Sequence, residues 1–421
     1  MIGRTTGTIV ATNGLLVDVF IPSMRVGEGA RIRTRDDARI DARVVAVDGR
    51  RATLAPLGSL DGIAVGDRVE CDPAALTLVL GTPLLGRACD AAGRSLDGMS
   101  AASGARSSTE STSALPGERR AIDELFWTGV RAIDGPLALG RGARIGLFGA
   151  PGCGKSTLLE SIVNGSSADV TVVGLIGERG REAERWLARI DARTTVICAT
   201  SDRSAAERVR AAETAFAQAE ALCRRGLHVA LIVDSLARVA GAAREVALAA
   251  GEPAGRGGYP PSVFALIARL LERAGNFSAG SITLIATVLS DGADEREPVS
   301  DACRAALDGH IALSSRLAQA GWFPAIDVPA SASRTLADVA EPDHARGARL
   351  LREAVARLEE TRDARGFGLD PAVADPVLAR AVAAQGAVER FLRQAGGPSD
   401  RSATLRELDA LADMLSDGYL R

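Results

Sequence analysis

The residues best suited to chemistry stand together at Gly149-Ala150-Pro151-Gly152-Cys153-Gly154-Lys155-Ser156-Thr157, which fits the P-loop pattern G-x-x-x-x-G-K-[ST]. The glycines permit the backbone angles that turn successive N–H groups toward one anion. An apolar run over 144–148 precedes the motif and a helical pattern over 155–163 follows it. The helix N-terminus adds unsatisfied donors and a positive dipole end. In that setting Lys155 reaches the β- and γ-phosphates as a point charge, and Ser156 supplies a hydroxyl to Mg²⁺. Gly149, Gly152, Cys153, Gly154 and Thr157 complete the cradle, and the pattern implies a bound nucleoside triphosphate. Cys153 lies beside the same helix N-terminus, which favours its thiolate; the alternative is a small residue chosen for size.

Of the 50 Lys+Arg residues, 49 are arginine, and Lys155 is the single lysine. A chain so biased keeps its one compact ammonium where a planar guanidinium cannot replace it.

Two carboxylates lie at strand ends downstream. The apolar run 229–234 closes on Asp234, the place of an acid that holds Mg²⁺ through water. Many strands end in Asp, so this reading depends on the neighbouring P-loop. The run 172–176 leads into Gly177-Glu178-Arg179-Gly180-Arg181-Glu182. A carboxylate just past a buried strand orients and deprotonates an attacking water, and adjacent arginines neutralise γ-phosphate charge. The alternative is a solvated charge cluster opening a helix.

These groups need a scaffold that brings strand ends together. Buried strands are expected at 144–148, 170–176, 195–199, 229–233 and 282–289. Helices are expected at 155–163, 181–190, 204–225, 261–274 and 299–307, giving a largely parallel sheet covered on both faces. Residues 1–75 read instead as short strands, with Asn13-Gly14 and Asp48-Gly49 favouring two-residue hairpins. They form a small β-barrel or a plain sheet cap. Residues 100–117 are polar and small, as in a surface loop or linker. Beyond 345, Leu350, Leu351, Ala354, Val355 and Leu358, then Leu405, Leu408, Leu411, Ala412 and Leu415, recur at helix-face spacing. The domain organisation is therefore 1–75, 76–345 and 346–421, consistent with roughly 150 residues per domain in a 421-residue chain.

Composition narrows the classes. The chain is 47% hydrophobic and 24% charged, which describes a globular protein. A net charge of −3 argues against a broad basic field that coats nucleic acid. The longest apolar run, 73–86, is shorter than the roughly 20 residues of a membrane helix. The N-terminus lacks the pattern of a secretory signal. Cysteines at 71, 89, 153, 198, 223 and 303 form no regular framework, as expected of reduced cytosolic thiols. Three histidines without His-Glu-x-x-His spacing argue against a zinc enzyme.

Around Gly177–Glu182 the chain resembles the hexameric secretion and rotary ATPases. The runs Trp127–Gly135, Ala199–Arg203, Leu248–Pro253, Gly258–Phe264, Leu271–Asn276, Asp308–Ser314 and Pro324–Arg334 extend the likeness. Together they look most like the type III secretion ATPase, the injectisome relative of the flagellar export ATPase. The likeness is specific over 120–335 and rests on Leu85–Gly98 over the first 99 residues. It implies an α/β fold: a RecA-like P-loop NTPase core with an N-terminal β-barrel and a C-terminal helical domain. It also implies that Glu178 is the catalytic carboxylate, Arg179 its γ-phosphate-contacting neighbour, Asp234 the Mg²⁺ acid and Arg238 a site-lining residue. Phe323 takes the place of the aromatic on the adenine ring, or packs in the core beside Trp322. Arg334 is implied to be the arginine finger entering the neighbouring subunit's site, or else a surface arginine.

ATP and Mg²⁺ are the implied cofactors. A homohexamer energising export is implied at the cytoplasmic face of the bacterial inner membrane, with the protein cytoplasmic and peripheral to the export apparatus. Implied partners are a coiled-coil central stalk protein, a stator or regulator protein, and secretion chaperone–substrate complexes that the ATPase releases and unfolds; nucleic acid is not among them. A rotary ATP synthase β-type chain is the nearest alternative, and it would need a distinct α-type partner. An RNA translocase resembling transcription terminator Rho would need exposed N-terminal aromatics, whereas residues 1–99 hold only Phe20. The chain departs from the family in its Ser/Thr tract at 100–113, in the loop 292–298 and in the alanine-rich segment after 345.

Overall fold

Six short strands, β1 (Thr6–Thr12), β2 (Val17–Phe20), β3 (Gly29–Arg33), β4 (Arg39–Asp48), β5 (Arg51–Pro56) and β6 (Arg68–Cys71), pair in the order β1-β2-β5-β4-β3-β6. Because β6 also pairs with β1, the sheet closes into a barrel and leaves no free edge, which decides between the barrel and the sheet cap. Ladder irregularities at Ile9/Ala11 and Val44/Ala46 give the extra twist that closure of so small a barrel requires. Its interior is filled by Ile9, Val17, Val19, Ile32, Leu54 and Val69. The second hairpin turns at Gly49-Arg50, with Asp48 opposite Arg51. The first is longer than a two-residue turn, since Thr12 pairs with Val17. Asn13 Oδ1 accepts from the amides of Leu15 and Leu16 and so holds the chain open there.

The computed structural model describes residues 5–110, 116–289, 297–369, 371–373 and 375–416. Residues 111–113 of the Ser/Thr tract and 292–296 of the divergent loop lie outside these. The described residues 100–110 of the polar segment are not a free linker. Within it β9 (Arg106–Ser108) pairs antiparallel with β7 (Thr77–Val79), and Thr109 beyond it is buried. Arg43 of the barrel reaches both Glu110 (2.6 Å) and Glu213 (2.7 Å), so the strap ties the barrel to the next layer.

That layer is a mixed sheet. Its strands are β8 (Ala88–Cys89), β12 (Arg144–Gly149), β13 (Val170–Ile176), β14 (Thr194–Ala199), β15 (His228–Asp234), β17 (Ser281–Leu289), β18 (Gly309–Leu313) and β19 (Ile326–Ser333). The order is β19-β18-β12-β17-β15-β13-β14-β8, with β16 (Gly275–Asn276) beside β17; β10 (Leu125–Phe126) and β11 (Leu139–Gly140) form a separate ribbon. All pairs from β18 to β8 are parallel, while β19 is antiparallel to β18. The strands expected from the apolar runs are present. β18 and β19 fall outside that expectation because they are half-buried and rich in small residues, so they carry no continuous apolar run.

Helices cover both faces. Leu158, Leu159 and Ile162 of α2 (Lys155–Gly165), following the short α1 (Arg131–Asp134), pack on the face that holds Leu147 and Val173. After α3 (Gly180–Leu187), α4 (Ala205–Cys223), α5 (Leu236–Ala249) and α6 (Pro261–Leu271) pack on the other face, against Val172, Ile176 and Leu231. Ser204 starts α4 with a capping box completed by Glu207. The sheet is followed by α7 (Pro298–Ala306), α8 (Ser315–Gln319), α9 (Leu336–Val339), α10 (Pro342–Glu360), α11 (Arg362–Gly366), α12 (Pro376–Leu392) and α13 (Arg401–Leu415). Leu351, Ala381, Phe391, Leu408 and Leu411 of the last helices join the α2-side core, so the C-terminal helices share that core.

His344 of α10 donates to the backbone carbonyls of Asp134 (2.9 Å) and Gly135 (3.0 Å), fixing the helical end to α1. Asp134 Oδ1 accepts from the Thr128 amide and hydroxyl, and burial pushes this carboxyl up to about 7. The native state therefore keeps a proton that the unfolded chain releases near pH 4. This contribution to stability is full below about pH 4 and is lost as pH rises toward about 7. Asp134→Asn keeps an acceptor but cannot ionise. Its melting temperature should fall less than that of the parent between pH 5 and about 7, and thermal unfolding series at matched pH values that run parallel would refute this.

Candidate active site

The P-loop leaves β12 at Gly149 and enters α2 at Lys155. Gly154, the N-cap of α2, is left-handed (φ +86°) and brings no side-chain cap, so the first amides of the helix keep their donors. A Cβ at Gly149 would meet Leu313 Cβ at 2.9 Å, so glycine there lets β18 pack close. Lys155 Nζ donates to the carbonyls of Gly149 (2.6 Å) and Ala150 (2.9 Å), and burial lowers its pKa. Ser156 is half-buried and Thr157 exposed beside it. Of the two readings of Cys153, its burial favours the small residue chosen for size. Cys153 is 2% exposed and its Sγ faces the Ser315 hydroxyl at 3.1 Å, because the loop folds this side chain onto the start of α8.

The carboxylates come from adjacent strands. Glu178 follows β13 and is 6% exposed. Arg238, on the first turn of α5, places Nε 3.0 Å from Oε1, donates through Nη2 to Oε2 (3.3 Å), and also donates to the Gly177 carbonyl. Burial first, then the charge of Asp234, push the Glu178 carboxyl up to about 7, and Arg238 opposes the rise. Asp234 ends β15 and is likewise pushed up by burial, against the pull of a Thr287 hydrogen bond and the Lys155 charge. Both acids are thus buried, with the charge of Arg238 opposing the rise at Glu178 and that of Lys155 opposing it at Asp234. Arg179 stands at the N-terminus of α3 without a side-chain capping bond and is exposed. Thr287 and the clamping role of Arg238 had no signal in the residue pattern.

Phe323 resolves its two readings toward the surface. Its ring is 46% exposed and stands over the P-loop, with Cε1 3.4 Å from the place a Cβ on Gly154 would take. Trp322 is half-buried against the core, under the Arg393 guanidinium (4.3 Å to the ring centre). Phe323, Thr157, Leu313, Ala325 and Gln394 line a cleft of about 50 Å³ next to the loop. Arg334 is not part of this constellation. Ser333 pairs with Gly309, which pairs with Ile145 at the start of β12, whereas the P-loop begins at Gly149. The separation along the strand is about 13 Å at ~3.3 Å per residue. Arg334 itself is exposed.

A parallel sheet with a P-loop, strand-end acids and helices on both faces defines a P-loop nucleotide hydrolase. Residues 129–333 match the ATP synthase alpha/beta family, nucleotide-binding domain, and residues 9–71 match the beta-barrel domain of the same family. The chain belongs to this family and is a P-loop ATPase of its type III secretion and flagellar branch. It is 41% identical, over 99% of its length and 94% of the relative's, to a type 3 secretion system ATPase of Pseudomonas syringae pv. tomato. It is 42% identical, over 90% of its length and 86% of the relative's, to a flagellum-specific ATP synthase of Pseudomonas aeruginosa. It is also similar to the assembled ATPase EscN in complex with its central stalk EscO, from enteropathogenic E. coli. There the TM-score is 0.89 at 37% identity, covering 96% of this chain and all of that one.

Gly177 (φ +71°) is the hinge on which the Glu178–Arg238 contact depends, since an added Cβ would lie 3.0 Å from Arg238 Cδ. Gly177→Ala should strain the backbone by about 1–2 kcal/mol and displace the guanidinium. Turnover should fall about 10–100-fold with an unchanged far-UV circular dichroism spectrum. Parent-like turnover would separate this contact from the reaction.

Proposed function

We propose that this chain works as a homohexameric ring that hydrolyses ATP at subunit interfaces to drive type III protein export. Lys155 and the amides at the start of α2 bind the β- and γ-phosphates, and Gly149, Gly152, Gly154, Ser156 and Thr157 shape the cradle. Phe323 stacks on the adenine. Glu178 receives the proton of the attacking water, a role suited to a carboxyl pushed up to about 7. Arg238 aims Glu178 through two contacts, and the exposed Arg179 next to Glu178 contacts the γ-phosphate once nucleotide is bound.

Ser156 and Asp234 offer hard oxygens at the mouth of the loop, and Asp234 is a buried acid with one oxygen already committed to Thr287. Among the described residues no three His, Cys, Asp or Glu side chains group as a self-sufficient metal site. That suits an ion held by one carboxylate, a hydroxyl and the nucleotide's own phosphates, as Mg²⁺ is. When bound, Mg²⁺ would neutralise charge on the phosphates.

The observation that carries the ring is the position of Arg334. It lies at the far end of the sheet from its own P-loop, so a role in catalysis requires a neighbouring copy. The likeness to an ATPase solved as an assembly with a central stalk supports a ring around a coiled-coil stalk. A stator or regulator protein, chaperone–substrate complexes and the export apparatus at the inner membrane complete the proposed setting. Within it the ring is cytoplasmic and peripheral, releasing chaperones and unfolding substrates; among the described residues no helix is long and apolar enough to cross a membrane.

Two experiments test this reading. Lys155→Arg should abolish hydrolysis without unfolding the chain, because the guanidinium is too broad for the loop; retained turnover would refute the assignment. Glu178→Gln and Arg334→Ala should each be inactive, the second by roughly 10³-fold. On mixing, an interface joining an Arg334→Ala P-loop to a Glu178→Gln finger has every part, so activity should partly return. A tandem dimer with the substitutions in complementary order that stays inactive would remove Arg334 from the site.

A further inference from the structure

β17 runs between the strand that ends in the P-loop and the strand that ends in Asp234, parallel to both. Its register puts Thr287 opposite Leu147 on one side, and Ala286 opposite Val233 on the other. Thr287 is therefore level with the first residue beyond Val233, which is Asp234. Its side chain is fully buried, and Oγ1 donates to Asp234 Oδ1 at 2.5 Å. The flanking residues Ile285, Ala286 and Val288 are buried and apolar, so a hydroxyl at this depth needs a partner to offset its lost hydration. The other buried threonine of the strand, Thr283, serves a different end, since it accepts from the Gly142 amide (2.8 Å) and braces the turn before β12.

A carboxylate on a short side chain rotates broadly about its last torsion. A hydrogen bond from a rigid strand to one oxygen removes that freedom and leaves the other oxygen facing one direction. β17 is well placed for this, because the same ladder that holds Thr287 also holds the P-loop strand. We propose that Thr287 is a positioning residue for the metal ion of ATP hydrolysis: its hydroxyl locks Asp234 so that Oδ2 is presented to the ion held with the nucleotide. The proposal rests on the reading of Asp234 as the Mg²⁺ acid. Outer partners of this kind, when removed, weaken metal binding about 10–100-fold.

The test compares the parent with Thr287→Val, which keeps the shape and drops the hydroxyl, and with Thr287→Ser, which keeps the hydroxyl. Thr287→Ala is a second hydroxyl-free variant should valine disturb the strand, and Asp234→Asn tests the underlying reading. Each full-length protein is titrated with Mg²⁺ at a fixed concentration of fluorescent N-methylanthraniloyl-ADP, and the Mg²⁺ half-saturation of the fluorescence change is recorded. Affinity for the same nucleotide in chelator is measured alongside. Thr287→Val and Thr287→Ala should raise the half-saturation about 10–100-fold, leave metal-free affinity unchanged, and Thr287→Ser should restore the parent value. If Asp234→Asn shifts the half-saturation and the hydroxyl-free variants do not, Thr287 serves packing alone; the proposal falls and Asp234 keeps its role. If Asp234→Asn shifts nothing, the reading of Asp234 falls and takes the proposal with it.

Discussion

Everything at the site depends on the parallel ladder that aligns β12, β17, β15 and β13. Gly149 pairs with Leu289, Val233 with Ala286, and Leu175 with Asp234, so four strands end at one edge of the sheet. A parallel sheet covered on both faces sends its strand-to-helix turns out at that edge, and the phosphate loop, Asp234 and Glu178 all follow from it. A one-residue slip between β15 and β17 would turn Thr287 away from Asp234, since side chains alternate faces along a strand.

That edge concentrates charge at buried positions. Two acids are buried there and Lys155 is half-buried beside the loop, and leaving either acid unpaired would be costly. Arg238 spans both oxygens of Glu178, Thr287 satisfies one oxygen of Asp234, and Lys155 rests on loop carbonyls. The division of labour among cations is chemical. The planar guanidinium suits the two-point contact on Glu178, while the single lysine of an arginine-rich chain sits in the loop with its ammonium on two backbone carbonyls.

The flanking parts are joined to this core by different means. The C-terminal helices share one of its hydrophobic cores and are anchored by His344 on the α1 carbonyls. The barrel has its own core and is tied down through polar contacts: Arg43 to Glu110 and Glu213, and the β7–β9 ribbon. This explains a polar segment that looks dispensable as sequence. Thr109 is buried there because the Arg210 guanidinium donates to its hydroxyl and the Arg273 Nη2 donates to its carbonyl.

The sequence by itself determined the phosphate loop, the alternation of strands and helices and the strand-end acids, because each is written in contiguous residues whose spacing has a local physical meaning. Resemblance extended this to Glu178, Arg238, Phe323 and Arg334. Tertiary structure alone decided which of them meet. Arg238 finds Glu178 across 60 residues and Thr287 finds Asp234 across 53, and neither partner has a type or spacing that announces the pairing. Likewise the edge strands β18 and β19 carry too little apolar character to be read, yet they set Arg334 at the opposite end of the sheet from its own P-loop. Contacts between distant segments depend on register and burial, which are properties of the assembled sheet and not of any short stretch of chain.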